Sequence, residues 1–232
     1  MKYHRTSTAT FIRRLNRFIA EVKLEDAVIQ VHVPNTGRCR ELFLEGTPVV
    51  LEHAATSNRR TAYSLVSVYK GDRLINIDAQ GPNKIVEEAL NAGQILSQVK
   101  HLHLARERTE GDSRFDFYYE GIKEDTPVRG YIEVKGVTLE VENRAYFPDA
   151  PTLRGLKHLV GLSRLAEEGF ENYVIFCIQM EGVVSFSPNT LMQPAFTKAL
   201  KAMADTVGIL AFDCHVTADD VTLKDAVPVM WD

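Results

Sequence analysis

Three cysteines in 232 residues, Cys39, Cys177 and Cys214, are an odd number, and no two stand at a metal-ligand spacing. That excludes a disulfide framework and a zinc finger or ribbon, and makes a reduced, cytoplasmic chain the expectation. No window approaches 18 consecutive apolar residues, which excludes a transmembrane helix and membrane partners that need one. Met1-Lys2-Tyr3-His4-Arg5 leads into a polar run and not into the apolar core of a signal peptide. The sequence also lacks a glycine-rich phosphate loop, an internal repeat and a low-complexity tract. No Ser/His/Asp or Cys/His nucleophile set is readable, and no helix-turn-helix, so a sequence-specific repressor of that type is not indicated. What remains is an ordinary globular composition, 45% hydrophobic and 25% charged, with length for one large domain or two small ones.

The net charge of −4 is unevenly spread. Residues 1–80 hold 12 Lys and Arg against 8 Asp and Glu, a net +4, while residues 81–232 hold 15 against 23, a net −8. The basic part includes Arg13, Arg14, Arg17, Arg38, Arg40, Arg59 and Arg60. A basic lobe that meets phosphates, joined to an acidic lobe that holds metal, would give this asymmetry.

Local patterns divide the chain at the same place. Up to about residue 80 it reads as short strands separated by turn signals. Ala27–Val33 ends at Pro34-Asn35-Thr36-Gly37. Thr47–Glu52 follows, and Thr61–Tyr69 and Leu74–Asp78 flank the hairpin connection Lys70-Gly71-Asp72-Arg73. That repetition suits a small OB-like barrel over residues 1–80, in which Ser57-Asn58-Arg59-Arg60 forms a loop able to touch backbone phosphates. Gly81-Pro82-Asn83 marks the boundary, with Asn83 as N-cap of a helix over Lys84–Ser97 whose apolar side carries Ile85, Val86, Ala89, Leu90 and Ile95. Residues 81–232 then alternate strands and helices, which argues for an α/β lobe with a mixed sheet. Strands are expected over Val99–Glu107, Arg114–Tyr119, Gly130–Leu139, Tyr173–Met180 and Ile209–Val216. His101 and His103 share one face of the first, without the further ligands zinc would need. Helices are expected from Thr152, as cap, to about Glu168 and from Gln193 to about Val207. The first of these has Leu153, Leu156, Leu159, Val160, Leu165 and Ala166 as its buried stripe, leaving Arg154, Lys157 and His158 on the remaining faces.

The chemistry-bearing pattern is Asp116 between two phenylalanines and, 17 positions on, Glu133-Val134-Lys135. Glu133 and Lys135 are two apart on a strand and so share a face. A solvated edge pair would have the same spacing, but Asp116 on a neighbouring strand would complete a site. Mg²⁺ or Mn²⁺ takes carboxylate oxygens, here from Asp116 and Glu133, with the Val134 carbonyl as a third. Lys135 would hold or help deprotonate an attacking water and stabilise charge on a phosphate. That residue set suits phosphodiester hydrolysis.

Four blocks in order carry a resemblance: Pro34-Asn35-Thr36-Gly37-Arg38, the Arg114-Phe115-Asp116 and Tyr131–Leu139 pair, Tyr146-Phe147-Pro148-Asp149-Ala150, and Arg154-Gly155-Leu156-Lys157-His158-Leu159. Together they resemble the sugar fermentation stimulation protein (SfsA) family over most of the chain. The resemblance implies an OB-like barrel followed by a lobe with the fold of PD-(D/E)xK nucleases, and members described as DNA-binding and linked to regulation of sugar use. It also implies that Glu88, on the first helix, is a further carboxylate for the metal. Phe115 stands where the wider nuclease pattern has proline, and the literal Pro148-Asp149 follows the Glu133-x-Lys135 motif instead of preceding it, which makes Asp149 a loop residue near the site.

Asp116, Glu133 and Lys135 are thus the expected catalytic residues, and Asp116, Glu133, Val134 and Glu88 the expected metal ligands. Arg13, Arg38, Arg59, Arg60, Arg154 and Lys157 are the expected nucleic-acid contacts. DNA is the expected partner, with RNA as a second candidate and the oligomeric state open, a homodimer included. The functional alternatives are a metal-dependent nuclease, a non-cleaving DNA-binding regulator of sugar (maltose-type) metabolism that keeps the nuclease scaffold, and an enzyme of sugar or nucleotide metabolism.

Overall fold

In a computed structural model, which describes residues 1–54 and 60–231, the first lobe is built from β1 (Thr6–Arg14), β2 (Ile19–Leu24), β3 (Ala27–His32), β4 (Pro48–His53), β5 (Tyr63–Lys70) and β6 (Arg73–Asn76). They run in the order β3-β2-β1-β4-β5-β6, and a pairing of β3 with β5 at His32↔Ser64 closes the first five into a barrel. Alternation does the sorting. Ala9 and Phe11, Ala20 and Val22, and Val49 and Leu51 point inward and are buried. Each Val or Leu so buried contributes about 1.5–3 kcal/mol. Irregularities between Phe11 and Arg13 and between Val50 and Leu51 supply the bends a small barrel needs. The hairpin at residues 70–73 forms as the sequence indicates, pairing Lys70 with Arg73. Of the loop read at 57–60, Ser57, Asn58 and Arg59 lie outside the described residues; Arg60 is exposed.

The second lobe centres on a mixed sheet in the order β15-β14-β12-β9-β8-β7, comprising β7 (Lys100–Glu110), β8 (Ser113–Lys123), β9 (Thr126–Val137), β12 (Asn172–Ile178), β14 (Val207–Val216) and β15 (Val221–Ala226). β12 pairs parallel with both β9 and β14 and is buried along its whole length, which is why its residues 173–178 read as an unbroken apolar run after the buried Asn172. A smaller sheet joins β10 (Leu139–Val141), β11 (Arg144–Phe147) and β13 (Ser185–Pro188). The helices are α1 (Gly81–Asn91), α2 (Leu153–Glu167) and α3 (Pro194–Met203).

Two helix expectations are corrected. α1 starts three residues before the expected Lys84, with Pro82 in its first turn and no side-chain cap, and ends at Asn91 and not at Ser97. Asn83 is inside the helix and its amide is used elsewhere. The buried face of α2 is Gly155, His158, Leu159, Leu162 and Leu165, while Leu153 and Val160 are exposed. The helix is rotated from the expected stripe because a glycine and a histidine, which carry no hydrophobic signal, occupy buried positions. Thr152 caps α2 as expected, its Oγ1 accepting from Gly155 N at 2.9 Å.

The lobes are tied by buried polar contacts. Gln179 donates through Nε2 to Asn76 Oδ1 at 2.8 Å and to the Asp78 carbonyl at 3.0 Å, and the Asn76 amide donates to the Gln179 carbonyl. Lys70 and Arg73 of the barrel both reach Glu140. Residues 1–3, counted with the barrel by position, pack instead on the second lobe: Tyr3 N donates to Asp219 O, and Met1 and Tyr3 join the core around α1.

Candidate active site

β8 and β9 are paired from Lys123↔Thr126 to Phe117↔Ile132. Beyond that point the Val134 N–H donates to Asp116 Oδ2 at 2.8 Å, a side chain in place of a ladder carbonyl. β8 also changes face here. Phe117 packs in the core around α1, whereas Phe115, two residues away, packs near His158 and Tyr131 on the α2 side. Regular alternation would put both on one face. The break leaves the Asp116 carboxylate at the parting strands. Its second oxygen, Oδ1, accepts from Asn83 Nδ2 of α1 at 2.8 Å. In extended backbone the N–H and C=O of one residue face the same neighbour, so the Val134 carbonyl is turned to the Asp116 side as well.

Glu133 is buried, and its Oε1 takes hydrogen bonds from both Lys135 Nζ and His158 Nδ1. Its Oε2 is buried without a hydrogen-bond partner among the described residues. An unpartnered buried carboxylate oxygen is costly unless a cation or donor completes it. The two carboxyls are pushed apart. Burial, then the negative charge of Glu133, raises the Asp116 pKa above the ordinary aspartate value. Burial also acts to raise Glu133, but the His158 hydrogen bond and Lys135 outweigh it and hold that pKa below the ordinary value.

Asp116, Glu133, Val134 and Lys135 are therefore brought together. Glu88 is not: its carboxylate takes the Met1 ammonium at 2.6 Å and its side chain is 60% exposed. α1 sends Asn83 to the site instead. Among the described residues no group of three or more His, Cys, Asp and Glu side chains is placed to hold a metal. The donors available are two carboxylates and a carbonyl, all hard oxygens, with the orphaned Oε2 of Glu133 among them. That set fits an ion such as Mg²⁺, which keeps several waters and takes one or two carboxylates.

Beside this site lies an interlobe cleft of about 340 Å³. Asn35-Thr36-Gly37, Gly136 to Leu139, and Tyr146 to Thr152 line it, so three of the sequence blocks meet on one cavity. Its floor is tight: a Cβ at Gly136 would stand 2.7 Å from both Gln179 Oε1 and Pro82 Cγ. Gly37 is similarly confined, between Asn35 Oδ1 and Asp149 Oδ2. Asp149 thus lines the cleft.

The expected phosphate contacts are dispersed. Arg13 is paired with Glu21 at 2.7 Å, and Lys157 with Asp112 at 3.1 Å. Arg38, Arg60 and Arg154 are exposed, and Arg59 is outside the described residues. His158 and Asn83 are the site residues that the sequence reading misassigned. The signal for His158 was present in its i, i+4, i+7 spacing to Leu162 and Leu165; for Asn83 there was none, since its partner is 33 residues away.

A family model described as the SfsA N-terminal OB domain matches residues 12–77, and one described as the sugar fermentation stimulation protein RE domain matches residues 80–220. The chain belongs to the SfsA family. A sugar fermentation stimulation protein homolog from Clostridium novyi is 45% identical over 231 residues, covering 99% of this chain and all of that one. A Clostridium kluyveri homolog is 47% identical over 222 residues, covering 95% of each. Among solved structures, Pyrococcus furiosus SfsA in complex with Ca²⁺ superposes with a TM-score of 0.86 at 24% identity, covering 99% of this chain and 98% of that one. That likeness establishes the shared SfsA fold of barrel plus mixed-sheet lobe. No helix among the described residues is long and apolar enough to cross a membrane.

Proposed function

We propose that this SfsA-family chain binds DNA and hydrolyses phosphodiester bonds with a divalent cation held by Asp116, Glu133 and the Val134 carbonyl. The observation that carries the reading is the buried, unpartnered Glu133 Oε2 next to Asp116, with Lys135 on the same carboxylate. Bound there, Mg²⁺ or Mn²⁺ would supply charge to polarise a phosphoryl oxygen. The chain's own residues do the rest. Asn83 and the Val134 N–H orient Asp116, His158 holds Glu133, and Lys135 offers an ammonium to the developing phosphate charge. The Ca²⁺ complex of the Pyrococcus furiosus relative supports a divalent-ion site in this fold without naming the ion used here.

The deciding experiment is incubation of labelled single-stranded, duplex, nicked, flapped and branched DNA, and RNA, with Mg²⁺ or Mn²⁺. Cutting by the parent that is lost in Asp116→Ala and in Lys135→Ala supports the reading; DNA shifted but never cut overturns hydrolysis. The second reading, a non-cleaving DNA-binding regulator of sugar metabolism, is favoured by one feature: Lys135 is locked onto Glu133 and both Asp116 oxygens already accept hydrogen bonds. Under the first reading Glu133→Ala abolishes Mn²⁺ binding in calorimetry, while DNA affinity holds or rises as like-charge repulsion is lost. Parent-like Mn²⁺ binding by that variant would place the ion elsewhere.

A further inference from the structure

On the barrel, a groove of about 650 Å³ is lined by Arg14, Arg17, Arg38 and Arg40 with Phe43. The four arginines divide into one that builds and three that face out. Arg14 spends all five of its N–H donors on carbonyl oxygens. Nη1 reaches Gly37 at 2.6 Å and Arg38 at 3.1 Å, Nη2 reaches Arg17 and Asn35 at 2.6 Å each, and Nε reaches Asn16 at 3.2 Å. It therefore staples the turn between β1 and β2 to the loop after β3, and fixes the backbones from which Arg17 and Arg38 project. Having no donor left, it is not itself a phosphate ligand.

Arg17, Arg38 and Arg40 are exposed. Elsewhere Arg13, Lys70, Arg73, Arg106, Arg114, Lys123 and Lys224 sit in ion pairs, while other cations such as Lys23, Lys84 and Arg154 have none among the described residues but do not share one groove. No ion pair of Arg17, Arg38 or Arg40 is found among the described residues. Three unneutralised guanidiniums on a stapled scaffold make a site for successive anionic groups. The groove offers no base-stacking platform. The ring of Phe43 is already engaged, with Arg14 Cζ 5.0 Å from its centroid and the stacked Phe11 ring at 5.1 Å. Contacts without stacking or base edges read the phosphate backbone and not the sequence.

The groove is continuous with the interlobe cleft, since Thr36, Gly37 and Ala150 line both. The far wall of the cleft, Pro82 and Gly136, is one residue from Asn83 and one from Lys135. At about 340 Å³ the cleft lies at the low end of the range for cavities that enclose one small ligand, roughly 300–1,000 Å³. That volume is on the scale of one nucleotide unit, which favours a single strand as the chain that enters.

We propose that Arg17, Arg38 and Arg40 seat the phosphodiester backbone of a single-stranded polynucleotide, independent of its sequence, and direct it through the interlobe cleft to Asp116 and Glu133. The last step rests on the site reading above; the groove itself does not.

The test is binding of fluorescein-labelled 30-mers of dT, of mixed-sequence DNA and of U, against the mixed sequence as duplex, in EDTA over a salt series. For the parent, single strands should bind more tightly than the duplex and nearly alike among themselves. In Arg17→Ala with Arg40→Ala, affinity should fall by a similar factor for every single strand, and the slope of log K against log salt should shrink by about 1.4, from about 0.7 per lost phosphate contact. Arg106→Ala with Lys224→Ala removes the same charge from ion-paired sites and should leave the slope unchanged. An unchanged slope in the groove variant, an equal fall in the control, tighter duplex binding, or no binding by the parent overturns the proposal. Arginine-dependent binding without any Asp116-dependent cutting would sink the hydrolysis reading and leave the groove standing. Asp116-dependent cutting with an unchanged groove slope would do the reverse.

Discussion

At the scale of single residues, His158 and Glu140 show how burial turns a charge into a structural commitment. His158 donates from Nδ1 to the carboxylate of Glu133 while packing 5.8 Å from the Phe115 ring centroid. His158→Ala would leave Glu133 with Lys135 alone and open a cavity against Phe115, at about 2–4 kcal/mol in urea unfolding. Unchanged stability would show that the site does not depend on that contact. Glu140 is buried between Lys70 and Arg73. Burial tends to raise its pKa, but the Lys70 hydrogen bond, the Asn143 N–H and both cations prevail and hold it low. A carboxyl depressed in the folded state stabilises above its unfolded pKa, about 4.3, and loses that contribution as pH falls through the folded value. Glu140→Gln should therefore melt below the parent at pH 7, with the gap narrowing toward pH 3. A gap independent of pH would mean the carboxylate's charge is not what matters.

At the scale of elements, strands were easier to recognise than helix faces. Residues 173–178 of β12 are an unbroken apolar run because helices or strands cover the strand on every side, and the sequence says so directly. α2 was legible in extent and cap but not in rotation, because His158 and Gly155 occupy buried positions for reasons that lie across the interface, on Glu133 and on the Phe196 ring. The cap can be tested: Thr152→Ala removes the acceptor for Gly155 N and should cost about 1 kcal/mol by thermal melt. A larger loss would show that the paired contacts of the Thr152 backbone with Gln193 depend on the cap as well. α1 carries the other surprise, since Asn83 sits inside the helix and orients Asp116, a role with no local signature.

At the scale of the molecule, the two lobes act as one support for the cleft. Gln179 supplies the buried hydrogen bonds between them while also lining that cavity. Gln179→Ala strands Asn76 Oδ1 and leaves the Asp78 carbonyl with the Gly81 N–H alone, so it should destabilise by about 1–3 kcal/mol and speed hydrogen exchange selectively in residues 76–82. Uniform exchange throughout the chain would mean the lobes separate only when the whole protein unfolds. The charge asymmetry read along the sequence also takes a spatial form at this scale. Three exposed arginines of the basic lobe stand in a groove whose continuation is lined by Asp149 and Gly136 of the acidic lobe.

The family, the barrel-plus-mixed-sheet architecture and the shared face of Glu133 and Lys135 are legible in the chain alone, while the placement of Asp116 beside them is an expectation that the strand pairing fulfils. Strand periodicity, turn residues and short motifs are local, and two residues apart on one strand are neighbours wherever that strand goes. Only the tertiary structure decided that Glu88 turns to Met1, that Asn83 and His158 complete the carboxylate pair, and that Arg14 is a staple while Arg17 and Arg40 face out. Those outcomes depend on which helix rotation best fills the core and on donors and acceptors separated by 20 to 90 positions, where spacing along the chain carries no information about distance in space.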